Sequence, residues 1–266
     1  MKIGFIGAGK MASAIIQSLQ EHQPMHQLII SGSSLQRSKD ISQALGVAYA
    51  NSHQALLDDV DIVFLGIKPQ QFQEVLAPLE FKQAVISMAA GVTLKQLESL
   101  IAKKLPLIRI MPNMNATIGL STTAITENAQ VQADLLAQVT ELVNAFGTAH
   151  VIAEEQFDTF TALAGSSPAY IYYFAEAMAK AGLKHGLPKL KAQKIVAETM
   201  LATAQQLLTT HQHPGQLIDD ICSPGGATIT GLMELERTGF AHSVSAAIDG
   251  TINKAKQSAG NRPIKD

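Results

Sequence analysis

The chain has 266 residues, 47% of them hydrophobic and 16% charged, which suits two ordinary domains with sizeable cores and excludes a disordered chain. A formal net charge of −2 leaves no basic surplus for nucleic acid, and no apolar run approaches the roughly 18 residues of a membrane span. Cys222 is the only cysteine, which excludes an intrachain disulfide and suits a reducing, cytoplasmic setting.

Met1-Lys2-Ile3-Gly4-Phe5-Ile6 reads as a short apolar strand, without the charged start and cleavage site of a signal peptide. It runs into Gly7-Ala8-Gly9-Lys10-Met11-Ala12 and then the helical pattern Ala14-Ile15-Ile16-Gln17-Ser18-Leu19. Strand, glycine turn and helix in this order fit a dinucleotide-binding fingerprint. Gly7 permits the tight turn, Gly9 lets backbone approach a pyrophosphate, and Ala12 lets the helix pack closely. The helix start offers unpaired N–H groups and a positive dipole end to phosphates. The alternative is a glycine turn in an α/β domain that binds nothing.

Leu28-Ile29-Ile30-Ser31-Gly32 is the second predicted strand. An NAD-specific fold places an acid after it to bind the ribose 2′-hydroxyl. Here Ser33, Ser34, Arg37 and Lys39 follow, with no acid before Asp40, so NADPH is favoured over NADH unless the segment is only a solvated loop. Ile41 to Leu45 is helical, with Gly46 as its C-cap. Asp61 to Ile67 is a continuous apolar run suited to a strand buried on both faces, and it delivers Lys68-Pro69 at its carboxyl end. A partly helical stretch from Phe72 to Leu79 precedes a strand at Ala84–Met88. Ala89-Ala90-Gly91-Val92-Thr93 then leads to a helix through Leu94, Leu97 and Ile101, and a strand at Leu107–Met111 ends at Pro112-Asn113. This alternation predicts a doubly wound parallel sheet.

From about Glu155 strand-like runs give way to alanine-rich helices, Tyr170–Leu183 among them, with Glu176 and Lys180 as an i,i+4 pair. Pro188 starts a helix to about Thr210, and others are expected around Leu217–Cys222, Thr228–Arg237 and Ser243–Ser258. Several are apolar around much of their circumference, as at Ala197–Ala202, more than some hundred residues of helix can bury alone, which predicts an interlocked homodimer; the alternative is packing on the first domain. Glu154-Glu155 precedes a helix, where the dipole favours acids, and Asp58, Asp59 and Asp61 read as a solvated loop.

Two turns carry further chemistry. Ser223-Pro224-Gly225-Gly226-Ala227-Thr228 puts two glycines and two hydroxyls before a helix, which suits a small carboxylate. Gly165-Ser166-Ser167-Pro168 is a similar helix start, and either turn can be no more than a cap. The eight histidines show no metal-ligand spacing, and Gly-x-Ser-x-Gly and His-Glu-x-x-His are absent, so hydrolase and metalloenzyme readings fall away and no metal is expected.

These blocks together resemble the pyrroline-5-carboxylate reductase family. The resemblance rests on Gly7–Met11, Ile67–Pro69, Ala89–Thr93, Arg109–Asn113 and Gly165–Tyr170. Its most specific part is His213-Pro214-Gly215-Gln216-Leu217 leading to Ser223–Ile229. The family often carries an acid just before His-Pro-Gly, where this chain has Thr210-His211-Gln212. The resemblance implies an NAD(P)H-dependent oxidoreductase that reduces the C=N bond of 1-pyrroline-5-carboxylate to L-proline, the last step of proline biosynthesis. It implies a Rossmann domain over residues 1–155 and an all-α dimerisation and substrate-binding domain over 156–266, with active sites shared between subunits and dimers that can assemble further. The implied cofactor contacts are Ile6, Gly7, Ala8, Gly9, Lys10, Met11, Ser34, Gly66, Ile67, Lys68, Pro69, Met88, Ala89 and Ala90. The substrate carboxylate falls on Ser223, Gly226 and Ala227, with Gly225, Asn113 and Ser166 also on the substrate side and Thr228 near the ring nitrogen.

The chemistry is consistent with that assignment. An imine nitrogen can be protonated in water and the product is an amine, so no strong acid is needed to protonate an alkoxide. Positioning supplies most of the barrier reduction. A rival is an NADP-dependent hydroxyacid dehydrogenase, which is expected to place a lysine in the turn that holds Ala169–Tyr173 here. A cofactor-binding regulator without turnover is another, against which the intact Thr228 and its glycines argue.

Overall fold

The computed structural model describes residues 1–101 and 104–260, so the last six residues of the expected helical region lie outside the described residues. The chain divides into two compact units, Met1–Gly165 with the described residues from Ile252, and Ser166–Thr251.

In the first unit the elements are β1 (Lys2–Ile6), α1 (Lys10–His22), β2 (Gln27–Ser31), α2 (Leu35–Leu45), β3 (Ala48–Tyr49), α3 (His53–Leu57), β4 (Ile62–Leu65), α4 (Phe72–Leu76) and β5 (Ala84–Ser87). They continue as α5 (Leu94–Ile101), β6 (Leu107–Met111), β7 (Ser121–Glu127), α6 (Ala133–Asn144), β8 (Gly147–Val151) and α7 (Phe157–Phe160). Among the described residues the strands form one eight-stranded sheet in the order β3-β2-β1-β4-β5-β6-β7-β8. Every pairing is parallel except β6 with β7, where Met111 faces Ala124 and Ile108 faces Glu127. The doubly wound sheet is as expected, with this one reversal added.

Each central strand alternates between two apolar layers, as a sheet covered on both faces requires. Ile3, Phe5, Ile30, Phe64, Ile86 and Ile108 meet α1, α2 and α6; Ile6, Ile29, Val63, Leu65, Val85 and Leu107 meet α3, α4 and α5. The Phe5 and Phe64 rings stack at 4.9 Å between centroids. α1 buries Ile15, Ile16 and Leu19 completely, each worth roughly 1.5–3 kcal/mol of transfer free energy. Gly46 closes α2 in the left-handed conformation at φ 67°, as its position predicts. The predicted solvated acids have partners. Asp59 pairs with Lys2 Nζ, Asp61 accepts from the Lys2 amide at 2.7 Å, and Asp58 lies 3.5 Å from Lys82.

The second unit is helical, with α8 (Ser167–Lys184), α9 (Lys189–Thr210), α10 (Pro214–Ile221), α11 (Ala227–Arg237) and α12 (Phe240–Gly260), the last running beyond the unit's edge. Pro188 is the N-cap of α9, one position before the first turn in which it is expected. α8 and α9 pack as a hairpin so close that a Cβ on Gly182 would stand 3.0 Å from Ala192 Cβ. Across this hairpin Glu176 takes Lys189 at 2.8 Å, nearer than its predicted helical partner Lys180 at 3.5 Å. The hydrogen bond from Lys189 is the main cause holding the Glu176 carboxyl below the usual carboxylate range. Apolar surface is left open. Only Ala192 and Val196 of α9 are buried, and Tyr173, Leu190 and Leu208 are 79%, 81% and 74% exposed.

Candidate active site

Because β1, β2, β4, β5 and β6 are parallel, the segments after them share one edge of the sheet. That edge gathers Ile6–Met11, Gly32–Ser34, Gly66–Pro69, Met88–Ala90 and Asn113. β1 and β4 are neighbours from which the chain winds in opposite directions, and ligands bind outside such a switch point in open α/β sheets.

Three glycines there have separate physical roles. Gly7 sits at φ 82° and its N–H donates to the Ser31 carbonyl at 2.8 Å. A Cβ on Gly66 would lie 2.5 Å from the Gly7 carbonyl oxygen and 3.0 Å from Ala12 Cβ, so β1, β4 and α1 meet through these small residues. Gly9, by contrast, has an ordinary φ of −74° and no atom within 4 Å of its Cβ position. Nothing in the fold requires a glycine at that place. An approaching ligand would. Gly9 is also the N-cap of α1, with no side chain capping the helix, so the first N–H groups of α1 remain available to an anion. Lys10, Arg37 and Lys68 line the edge exposed and without an ion pair among the described residues, and no acid occurs in residues 7–9, 32–34, 66–71 or 88–93. Open backbone, a free helix N-terminus and unpaired cations fit a phosphate-bearing dinucleotide.

After β2, Ser33 is exposed, and Ser34 caps α2 by accepting from the Arg37 amide at 3.1 Å, which leaves its own O–H free to donate. Ser38, buried beneath, accepts from Gly32 N at 2.9 Å and donates to Ser34 O at 3.1 Å, which fixes the turn. Ser31 Oγ lies 2.8 Å from His53 Nδ1, and burial lowers the pKa of that histidine. No local signal marks this pair, because its members are 22 positions apart.

After β5 and β6 lie the predicted Asn113 and one residue not predicted to belong near the site, Glu154. Glu154 stands in the first turn of a short helix, as expected, and it also reaches a second one. Its carboxylate accepts from Leu94 N at 2.8 Å, at the start of α5, and pairs with the buried Arg109 at 3.0 Å. Asn113 is buried with both ends of its amide engaged, Nδ2 donating to Ala164 O at 3.0 Å and Oδ1 accepting from Asn115 N at 3.1 Å.

The remaining predicted residues lie in the second unit. Ser166 does not open a fresh helix start, since residues 157–184 are helical throughout, with a π-helix at Thr161–Ser166 between α7 and α8. Small residues at Ala162, Ala164 and Gly165 permit that wider turn, a feature frequent at functional sites. At the other turn, Gly225 has φ 69° and Gly226 N donates to Ser223 O at 3.0 Å. A Cβ on Gly226 would stand 2.4 Å from Ser223 Oγ, so only glycine lets the serine fold back there. Gly226 is the N-cap of α11 with no side chain capping it, which leaves the Ala227, Thr228 and Ile229 amides free for an anion. Thr228 is exposed, and its hydroxyl has no hydrogen-bond partner among the described residues. His213 caps α10 by accepting from Gly215 N at 3.1 Å, and His211 ends α9 in the left-handed region at φ 55°. Among the described residues no cluster could hold a metal ion, and no helix is long and apolar enough to cross a membrane.

Comparison with known proteins agrees with both halves. Residues 2–91 match the family described as NADP oxidoreductase, coenzyme F420-dependent, and residues 154–258 match the one described as pyrroline-5-carboxylate reductase dimerisation. The chain is 34% identical over 258 residues to a pyrroline-5-carboxylate reductase of Aquifex aeolicus, covering 97% of each. A 1-pyrroline-5-carboxylate reductase structure from Streptococcus pyogenes is 61% identical with a TM-score of 0.89, over 97% of this chain and 98% of that one. A Plasmodium falciparum pyrroline carboxylate reductase solved with NADP bound is 28% identical with a TM-score of 0.86 over the same shares. A glycine cradle at the sheet's switch point, a second glycine turn before an exposed threonine, and full-length similarity together place the chain in the pyrroline-5-carboxylate reductase family.

Proposed function

We propose that the chain reduces the C=N bond of 1-pyrroline-5-carboxylate to L-proline, with NADPH as hydride donor and NADH as a weaker substitute. The observation that carries this is the pairing of an open, cation-lined glycine edge with a separate uncapped helix N-terminus beside a free hydroxyl. NADPH supplies the hydride when bound. Gly9 and the N-terminus of α1 take the pyrophosphate, Ser33, Ser34 and Arg37 the 2′-phosphate, and Lys10, Met11, Gly66–Pro69 and Met88–Ala90 the rest of the cofactor. In the second unit Ser223, Gly225, Gly226 and Ala227 hold the substrate carboxylate, and Thr228 orients the ring nitrogen. Ser166 offers a further hydroxyl, while Asn113 acts by fixing the turn at Ala164. The test is oxidation of NADPH with pyrroline-5-carboxylate against a panel of keto acids; turnover of keto acids alone would favour a hydroxyacid dehydrogenase. In the same assay Arg37→Ala raises KM for NADPH and leaves KM for NADH nearly unchanged. Equal effects on both would remove Arg37 from recognition of the 2′-phosphate.

The enzyme works as a homodimer, able to associate further, and a cytoplasmic location goes with its single cysteine. Exposed apolar side chains on α8 to α12, from Tyr173 to Val244, support this, because monomers rarely leave so much apolar surface open. Folding linked to association makes the melting temperature rise with protein concentration. A stable, active monomer in sedimentation, with a concentration-independent melt, would rule the dimer out.

A further inference from the structure

We propose that Glu154, held in place by Arg109, is a positioning residue for the loop Met88–Thr93, and through it for the nicotinamide half of the cofactor. This rests on the cofactor reading above. With the 2′-phosphate at the end of β2 and the pyrophosphate at β1, the rest of a dinucleotide runs across β4 to β5, three strand spacings or about 14 Å. Met88–Thr93 is the segment it meets there. One end of that loop is fixed by the sheet, for Ser87 pairs with Arg109 in the β5–β6 ladder and is fully buried. The other end is fixed at the N-terminus of α5. Thr93 Oγ1 accepts from Gln96 N at 3.2 Å and Gln96 Oε1 accepts from Thr93 N at 2.9 Å, a reciprocal capping box. That box leaves the Leu94 amide unmatched, and Glu154 Oε1 accepts from it at 2.8 Å.

A carboxylate from 60 residues away therefore completes this helix start, where negative charge is also favoured by the dipole. It is itself tightly constrained. Arg109 is 6% exposed, its Nη1 lies 3.0 Å from the same Glu154 oxygen, and its guanidinium stands 4.4 Å from the Phe157 ring centroid. Ser87 and Arg109 both come from the sheet face that α5 covers, so sheet, loop and helix start form one polar unit in an otherwise apolar layer. With Glu154 removed the loop keeps its residues and the Thr93–Gln96 box, and loses the bond at Leu94 that ties its far end to Arg109 and the sheet.

The test separates the two halves of the cofactor, with NADPH binding followed by its fluorescence and adenosine 2′,5′-bisphosphate binding followed by displacement. A fraction of an ångström of misplacement in the loop corresponds to about tenfold. Glu154→Ala is expected to weaken NADPH binding and lower kcat/KM by about that factor, with bisphosphate affinity unchanged. Glu154→Gln should recover most of the loss, because its amide oxygen still accepts from Leu94. Should Glu154→Ala not fold, the double variant Arg109→Met with Glu154→Leu leaves no buried charge unpaired and shows the same selective loss. NADPH binding within twofold of wild type in these variants, or parallel loss of NADPH and bisphosphate binding, overturns the proposal. Failure of the wild-type enzyme to turn over pyrroline-5-carboxylate overturns the functional reading instead.

Discussion

Thr228→Ala is expected to lower turnover ten- to a hundredfold, with NADPH affinity and melting temperature near wild type. A neutral hydrogen bond contributes roughly 0.5–1.5 kcal/mol, about three- to tenfold in rate. If the same hydroxyl also relays a proton, the expected fall lies in the upper part of the range, as an order-of-magnitude estimate. The unchanged melting temperature follows from the structure. Gly226, not Thr228, is the N-cap of α11, and the Thr228 side chain is exposed with no hydrogen-bond partner among the described residues. Removing it takes nothing from the fold. Thr228→Ser keeps most of the activity, because the hydroxyl is what matters. Steady-state kinetics beside a melting curve decide the matter, and normal turnover in Thr228→Ala would take the residue out of the mechanism.

Gly9→Ala and Gly66→Ala have opposite effects on folding and binding. The Cβ added at Gly9 meets no atom within 4 Å and the backbone is at φ −74°, so folding loses only what alanine costs at an N-cap, about 1 kcal/mol at most. The methyl group would fill the space over which the pyrophosphate passes, and NADPH binding is expected to fall about ten- to a hundredfold, the cost of losing a charge-assisted hydrogen bond to the phosphates. At Gly66 the new Cβ would stand 2.5 Å from a backbone oxygen that cannot swing aside. Overpacking of this kind costs about 3 kcal/mol, and the loss appears as a lower melting temperature before any cofactor is added. Titration of NADPH fluorescence and a melt of each variant separate the two effects. Wild-type binding by Gly9→Ala would show that the pyrophosphate does not cross Gly9, and an unchanged melt for Gly66→Ala would contradict the close contact of β1 with β4.

How much was legible in the residues differs along the chain. The glycine turn, the apolar runs of β1, β2, β4, β5 and β6, the cap at Gly46 and the helices after Glu155 all rest on relations within a few positions. α6 carries the same signal, with Leu135, Leu136, Val139, Leu142 and Val143 at helical spacing. β7 and β8 are harder. Ser-Thr-Thr-Ala-Ile-Thr-Glu shows little alternation because β7 is buried on both faces with hydroxyls inside, and β8 is an edge strand with much of its surface exposed. The reversal of β7 against β6 depends on the turn at Met114–Ile118, fixed by the Asn113 amide, and not on the strand's own residues.

By itself the sequence determined that a dinucleotide-binding sheet comes first and a helical region second, and it named the turns where chemistry is concentrated. These are consequences of side-chain period, glycine placement and helix signals, which act over a turn or two of chain. The tertiary structure decided which small residue serves the fold and which leaves room for a ligand. Gly7, Gly9 and Gly66 look alike as letters, and only the strand pairing brings Gly66 against Gly7 while leaving Gly9 open. It also decided the partners of the polar groups. Glu154 reaches Leu94 and Arg109, and Asn113 reaches Ala164, across 60, 45 and 51 positions. Such contacts are set by the order and register of strands, which no stretch of neighbouring residues encodes.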